Sequence, residues 1–152
     1  MNRSDIVAAW KRCQGVPFSH QGRDPLIGLD CIGLALRGYF EAGWEPECPD
    51  LISSATYKRL PDSALLTSLV ENECVEIPVL ATLPGDLLLM TWPGMDELPC
   101  HIACITDAHT TLDGKRISII HTHWIMKEVK EHGLTKEWKD RVTSAWRCKA
   151  LV

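Results

Sequence analysis

Long apolar runs are missing from this chain. The longest, such as Ile6–Trp10, hold about five residues, against about 20 for a helix that crosses a bilayer, so membrane insertion is not expected. The start, MNRSDIVAAWKRC, brackets that run with Asp5 and Lys11-Arg12 and shows no signal-peptide core; the expectation is a soluble product made in the cytoplasm. A basic stripe is missing too. The 16 Lys and Arg stand against 20 Asp and Glu, a net charge of −4, which argues against nucleic acid as a partner. No Cys-x-x-Cys pair occurs, and the seven cysteines are odd in number and scattered. That pattern fits reduced thiols, most of them small buried apolar groups, rather than a disulfide framework. Internal repeats, low-complexity segments and βαβ alternation are absent as well.

What is there is ordinary globular material: 152 residues, 45% hydrophobic and 24% charged, the size of one domain spanning residues 1–152. Asp5–Gln14 reads as a helix with Ile6, Ala9, Trp10 and Cys13 on one stripe, stopped by Gly15. Residues 15–29, rich in Gly and Pro, read as a loop. Asp30 reads as the N-cap of a second helix that runs from Cys31 to Gly43. Its internal Gly33 and Gly38 mark places where another backbone comes close. Residues 44–60 read as loop and Ser63–Val70 as a short helix. Strand periodicity then takes over at Cys74–Ile77, Asp86–Thr91, His101–Asp107, Arg116–Trp124 and Thr143–Cys148. Helices first and strands second predict an α+β fold with a mainly antiparallel sheet.

Chemistry concentrates at three places: Asp30-Cys31 at a helix start, His101 opening a strand, and His121 and His123 closing the next. A thiol attacks as thiolate, and the positive end of a helix dipole favours that form, so a lowered pKa is expected for Cys31. A histidine must accept the thiol proton and a further polar group must hold that ring; His101 and His121 supply both roles. Strand alternation puts His101, Ala103 and Ile105 on one face and Cys100, Ile102 and Cys104 on the other. Ile117, Ile119, His121 and His123 likewise share a face. Setting His101 opposite His121 would leave Ala108–Gly114 as an unpaired loop of about seven residues, because a two-residue turn at Asp113-Gly114 puts the two histidines on opposite faces. His123 has the same parity and is the alternative orienting residue. Zinc held by Cys100, His101, Cys104 and the 121–123 histidines is disfavoured, since Cys100 and Cys104 point away from His101. His20, His109 and His132 fall in loop-like contexts and read as solvated.

GVPFSHQGRDPLIGLDCIGLALRG resembles the nucleophile segment of the NlpC-type cell-wall cysteine peptidases, a papain-like family, with its Gly-x-Pro-aromatic start and Asp-Cys-x-Gly-Leu core. LPGDLLLM is similar to the family's Pro-Gly-Asp-Leu strand, HIACIT to its histidine strand and SIIHTH to the strand of its third residue. The compact start and Ile32 after the cysteine look most like the phage tail-associated branch. The resemblance implies Cys31 as nucleophile, His101 as general base and acid, and His121 as the orienting residue, with no metal or organic cofactor. It implies hydrolysis of an amide bond in peptidoglycan stem peptides, that of γ-D-glutamate to the diamino acid, through a thioester. Asp30 would bind the free amine of the stem through charge-assisted hydrogen bonds worth roughly 1.5–3 kcal/mol. Phe18 takes the place of a common Tyr beside the substrate. The branch implies tail-protein partners and action at the host wall from a phage or prophage tail. A catalytically silent tail-assembly module on the same fold and a thiol-dependent acyltransferase or amidase are the alternatives.

Overall fold

Asn2 opens the first helix because its side-chain oxygen accepts from the otherwise unpaired N–H of Asp5, at 2.8 Å. The computed structural model describes residues 1–54, 56–57, 61–94 and 97–152, and this helix, α1 (Arg3–Arg12), buries the stripe Ile6, Ala9 and Trp10. Gly15, with φ +83°, turns the chain away. The stretch expected as loop carries a small antiparallel pair, β1 (Arg23–Asp24) and β2 (Gly28–Leu29). Asp30 then caps α2 (Cys31–Glu41), its carboxylate accepting from the Gly33 N–H at 2.7 Å.

The two glycines of α2 have different reasons. A Cβ on Gly33 would lie 1.9 Å from the Gly22 carbonyl oxygen, so another backbone does come close there. At Gly38 the neighbour is a side chain, the Trp10 indole, whose Nε1 would sit 2.1 Å from a Cβ. A short helix, α3 (Pro49–Ser54), occupies part of the 44–60 stretch expected as loop, and positions 55 and 58–60 of that stretch lie outside the described residues. Asp62 caps α4 (Ser63–Glu73) through the Leu65 N–H at 2.8 Å.

Strands β3 (Cys74–Ile77), β4 (Leu87–Met90), β5 (His101–Thr111), β6 (Gly114–His121), β7 (Lys130–Gly133) and β8 (Val142–Cys148) follow, with the single turn α5 (Lys136–Lys139) and short 3-10 turns at Val79–Ala81 and Lys149–Leu151. Among the described residues the strands form one sheet of order β3-β8-β4-β5-β6-β7, every neighbouring pair antiparallel. The fold is α+β, as the order of helices and strands predicts. Side chains alternate across the sheet. Leu87, Leu89, Ile102, Cys104 and Ile120 pack with the buried stripes of α1, α2 and α4. Leu88, Met90, Ala103, Ile105, Ile117 and Ile119 form a second core on the other face, with Leu134 and Trp138 against it. Both faces of β4 are covered, which is why LLLM reads as an unbroken apolar run.

The β5–β6 connection differs from the expected seven-residue loop. Thr111 pairs with Gly114, so only Leu112 and Asp113 form the turn, with Gly114 at φ +118°. Continued regularly, that register would set His121 level with Cys104, on the face opposite to His101. It does not continue: a β-bulge between Ile105 and Asp107 leaves Thr106 as an extra residue and re-sets the pairing to Ile105 with Ile119 and Cys104 with Ile120. His121 therefore lies one step beyond Ile120, level with Ala103, and on the His101 face. The tight turn and the shared face coexist because one residue is spent in the bulge.

Asp86, of the Pro-Gly-Asp run, is fully buried before β4. Its carboxylate takes Arg3 of α1 at 2.9 Å, Arg147 of β8 at 2.8 Å and the Leu83 N–H at 2.8 Å.

Candidate active site

Cys31 is the first residue of α2, placed there by the Asp30 cap, and its side chain is turned inward against β5. The thiol lies within reach of the backbone N–H groups of Ile102 and Ile32. His101 is the next residue along β5, wholly buried. Its Nε2 meets His121 Nδ1 at 2.8 Å, while its Nδ1 is buried without a hydrogen-bond partner among the described residues. His121, also wholly buried, uses its other nitrogen as well: Nε2 lies 2.6 Å from His132 Nε2 on β7. His132 Nδ1 in turn meets the Gly133 carbonyl at 2.8 Å.

Aromatic rings close off this line of imidazoles. Trp138 sits edge-on to His121, with ring centres 4.7 Å apart, and packs on His132. Trp92 lies edge-on to His101 and stacks on His123 at 3.5 Å. Arg141 lies over Trp138, 4.1 Å from its centre, and reaches Trp92 as well. His123 is thus brought near His101, with centres 5.8 Å apart, but its Nδ1 accepts from the Ile125 N–H. The ring hydrogen-bonded to His101 is that of His121.

Burial governs the charges. It pushes the Cys31 thiol up to about 12, aided by the Asp30 carboxylate and opposed by the N–H groups of Ile102 and Ile32 and by Arg23. The lowered value expected from a helix start is overturned, because the loss of water outweighs the helix N-terminus. The same burial holds His101 well below 6.5, helped by His121, His123 and Arg141. His121 is brought down to about 3 by burial first and then by His132, His123 and Arg141; His123 falls to about 4 through burial and Arg141. The resting pair is a neutral thiol and a neutral imidazole. Such a pair suits a nucleophile that loses its proton as it attacks, to a base holding a free lone pair.

Asp30 does not stand open to a substrate amine. It is 2% exposed, and four donors converge on its two oxygens. Oδ1 takes the Gly33 N–H at 2.7 Å and Arg23 at 2.9 Å; Oδ2 takes the Gln21 N–H at 3.1 Å and the Tyr57 hydroxyl. Arg23 also donates to the Tyr57 hydroxyl, at 2.6 Å. A carboxylate has about four acceptor sites, and here each oxygen already takes two donors, one of the four from the Arg23 guanidinium. Phe18 is half-buried and bridges Leu29, its N–H donating to the Lys127 carbonyl at 2.8 Å.

Three participants escaped the sequence. His132 was expected in a solvated loop but sits on β7, opposite Ile119; β7 (KEHG) is short and polar and carries no apolar alternation. Arg23 and Tyr57 reach Asp30 from 7 and 27 residues away, a contact no local spacing announces. All seven cysteines are free, and six are buried. Among the described residues no group of three or more His, Cys, Asp or Glu is arranged to hold a metal ion.

No family model matches the sequence, and no curated protein does. Solved structures do match. The NlpC/p60 domain of the peptidoglycan hydrolase SagA is 22% identical over 97% of this chain and 99% of that one, with a TM-score of 0.57. An NLP/P60 family protein of Staphylococcus aureus subsp. aureus Mu50, described as similar to lipoprotein, is 20% identical over 96% of this chain, TM-score 0.59. An NlpC/P60 family protein of Bacillus cereus ATCC 10987 is 19% identical over 97% of this chain, TM-score 0.65. The chain spans 41% and 40% of the length of those two. The likeness concerns the backbone path: this chain has the fold of an NlpC/p60 domain.

Proposed function

We propose that the protein is a cysteine peptidase acting on peptidoglycan stem peptides, built as one NlpC/p60-type domain over residues 1–152. The observation that carries this reading is the buried His101–His121 pair with a free Nδ1, one residue along β5 from the N–H that reaches the helix-start thiol. The fold, shared with the domain of a peptidoglycan hydrolase, supports the substrate class. Cys31 is the nucleophile, His101 the general base and acid, and His121 the residue that holds the His101 ring.

As the Cys31 sulfur attacks the scissile carbonyl carbon, its proton passes to His101 Nδ1. The imidazolium then gives that proton to the departing amine, leaving a thioester on Cys31. Water attacks the thioester, losing a proton to the same nitrogen, which passes it to the departing sulfur; the acid is released and the free thiol restored. The Cys31 N–H at the start of α2 supplies one donor to the developing oxyanion. The bond is that between γ-D-glutamate and the diamino acid, with Phe18 as an apolar wall. The setting is a phage or prophage tail acting at the host wall, with tail proteins as partners. Among the described residues no helix is long and apolar enough to cross a membrane.

Because Asp30 is filled by Arg23, recognition of the stem does not depend on a free amine. The test offers the protein a free tetrapeptide stem, the same stem N-acylated, and casein, with products read by mass spectrometry. Both stems are expected to be cleaved at similar rates and casein left intact, with no cleavage by Cys31→Ala. Preference for casein would remove the cell-wall reading, and transfer to an added amine in place of water would make the protein an acyltransferase. A strong preference for the free stem would restore an ammonium site at Asp30.

A further inference from the structure

The outer end of the imidazole line fixes the protonation pattern of the whole. A carbonyl oxygen only accepts, so the 2.8 Å contact of His132 Nδ1 with the Gly133 carbonyl requires the proton on Nδ1. In a neutral ring His132 Nε2 then carries a lone pair. The contact at 2.6 Å requires His121 Nε2 to be the donor, which leaves His121 Nδ1 as an acceptor. His101 Nε2 must therefore donate across the 2.8 Å contact. His101 Nδ1 is left bare, and it is the nitrogen found buried and unpartnered.

We propose that His132 is a positioning residue for the reaction: backed by the Gly133 carbonyl, it sets the tautomer of His121 and, through it, that of His101, so that the lone pair always falls on Nδ1. This inference rests on His101 being the base of the proposed reaction. A third group that hydrogen-bonds the second ring decides which nitrogen of the first is basic. Without it, His121 is free to carry its proton on Nδ1, two N–H groups would face one another between the rings, and His101 would turn or change tautomer. Trp138 packs against both His121 and His132 and so restrains the two rings whose nitrogens meet.

The test combines nitrogen NMR of the imidazoles with kinetics on the stem peptide, using wild type, His132→Ala and His132→Gln. In wild type, His101 and His121 should be single Nε2–H tautomers and His132 the Nδ1–H tautomer. His132→Ala should mix the tautomers of His101 and His121 and lower kcat on the order of 10- to 100-fold with KM little changed. His132→Gln, whose amide oxygen accepts from His121 Nε2–H, should recover the single tautomers and most of kcat. A wild-type spectrum with the His132 proton on Nε2, or unchanged tautomers and kcat in His132→Ala, would overturn the proposal. The tautomers are read without substrate, so the two failures separate. A wild type with the stated tautomers but no hydrolysis would sink the peptidase reading alone; an active enzyme indifferent to His132 would sink this inference alone.

Discussion

Neutral buried histidines leave a mark on stability. His101, His121 and His123 protonate far below 6.5 in the folded protein, whereas in the unfolded chain they take up protons near 6.5. Between about pH 6.5 and 4 the unfolded chain thus holds more protons, and stability falls as pH falls. Each ring contributes about 1 kcal/mol per pH unit in that window and nothing further above it. Urea midpoints should be highest near pH 7 and drop steeply from 6.5 to 5, before carboxylates matter; His123→Asn should make the drop shallower. A flat profile from 6.5 to 5 would contradict the burial of uncharged rings. At this scale the sequence was legible wherever a residue's role is local. Asp30 announces itself as a cap and Cys31 as a helix start through the pattern around them. The partners of Asp30 and the His121–His132 contact come from chain segments that only packing brings together. The thiol's charge was misjudged for the same reason, since helix position is visible in a sequence and depth of burial is not.

At the scale of elements, the point where α2 meets the 19–30 segment positions Cys31. The Gly33 face of α2 touches the Gly22 carbonyl with no room for a methyl group, which seats the helix start and the residues that wrap Asp30. Gly33→Ala should cost about 1–3 kcal/mol through overpacking against rigid backbone. It should also slow alkylation of Cys31 in the folded protein relative to wild type. Unaltered stability and thiol reactivity would mean that the close approach is readily relieved. Strand positions were legible from alternation, since β3 begins and ends where its pattern predicts and β5 opens at His101. The β5–β6 register was not, because parity alone offered a long loop as the remedy and a bulge leaves no mark in the residue pattern.

The whole molecule is drawn together at Asp86. One buried carboxylate joins the first helix and the last strand of the sheet, through Arg3 and Arg147. Removing it leaves two part-buried guanidinium groups and the Leu83 N–H without their shared acceptor. Asp86→Ala should therefore cost about 3 kcal/mol or more in unfolding free energy. Arg3→Ala, taking away a partner that keeps some access to water, should cost about 1 kcal/mol; comparison of urea midpoints checks both. Equal, small losses would make the carboxylate a bystander. The α+β class was legible from the order of patterns along the chain. The strand order was not: β8 inserts between β3 and β4, a pairing between segments over fifty residues apart in sequence for the latter, and such non-local contacts leave no periodic trace.

The bulge at Thr106 makes the site sensitive to insertions and deletions in a way it is not to replacements. With Ile105 held beside Ile119, one residue inserted between His101 and Ile105 turns His101 to the other face of the sheet. An insertion between Ile119 and His121 does the same to His121. A second inserted residue on the same strand turns the ring back, but two positions further out. Every residue of these two short spans is buried, so a change of length there cannot be absorbed by the surface and is carried straight to the paired rings.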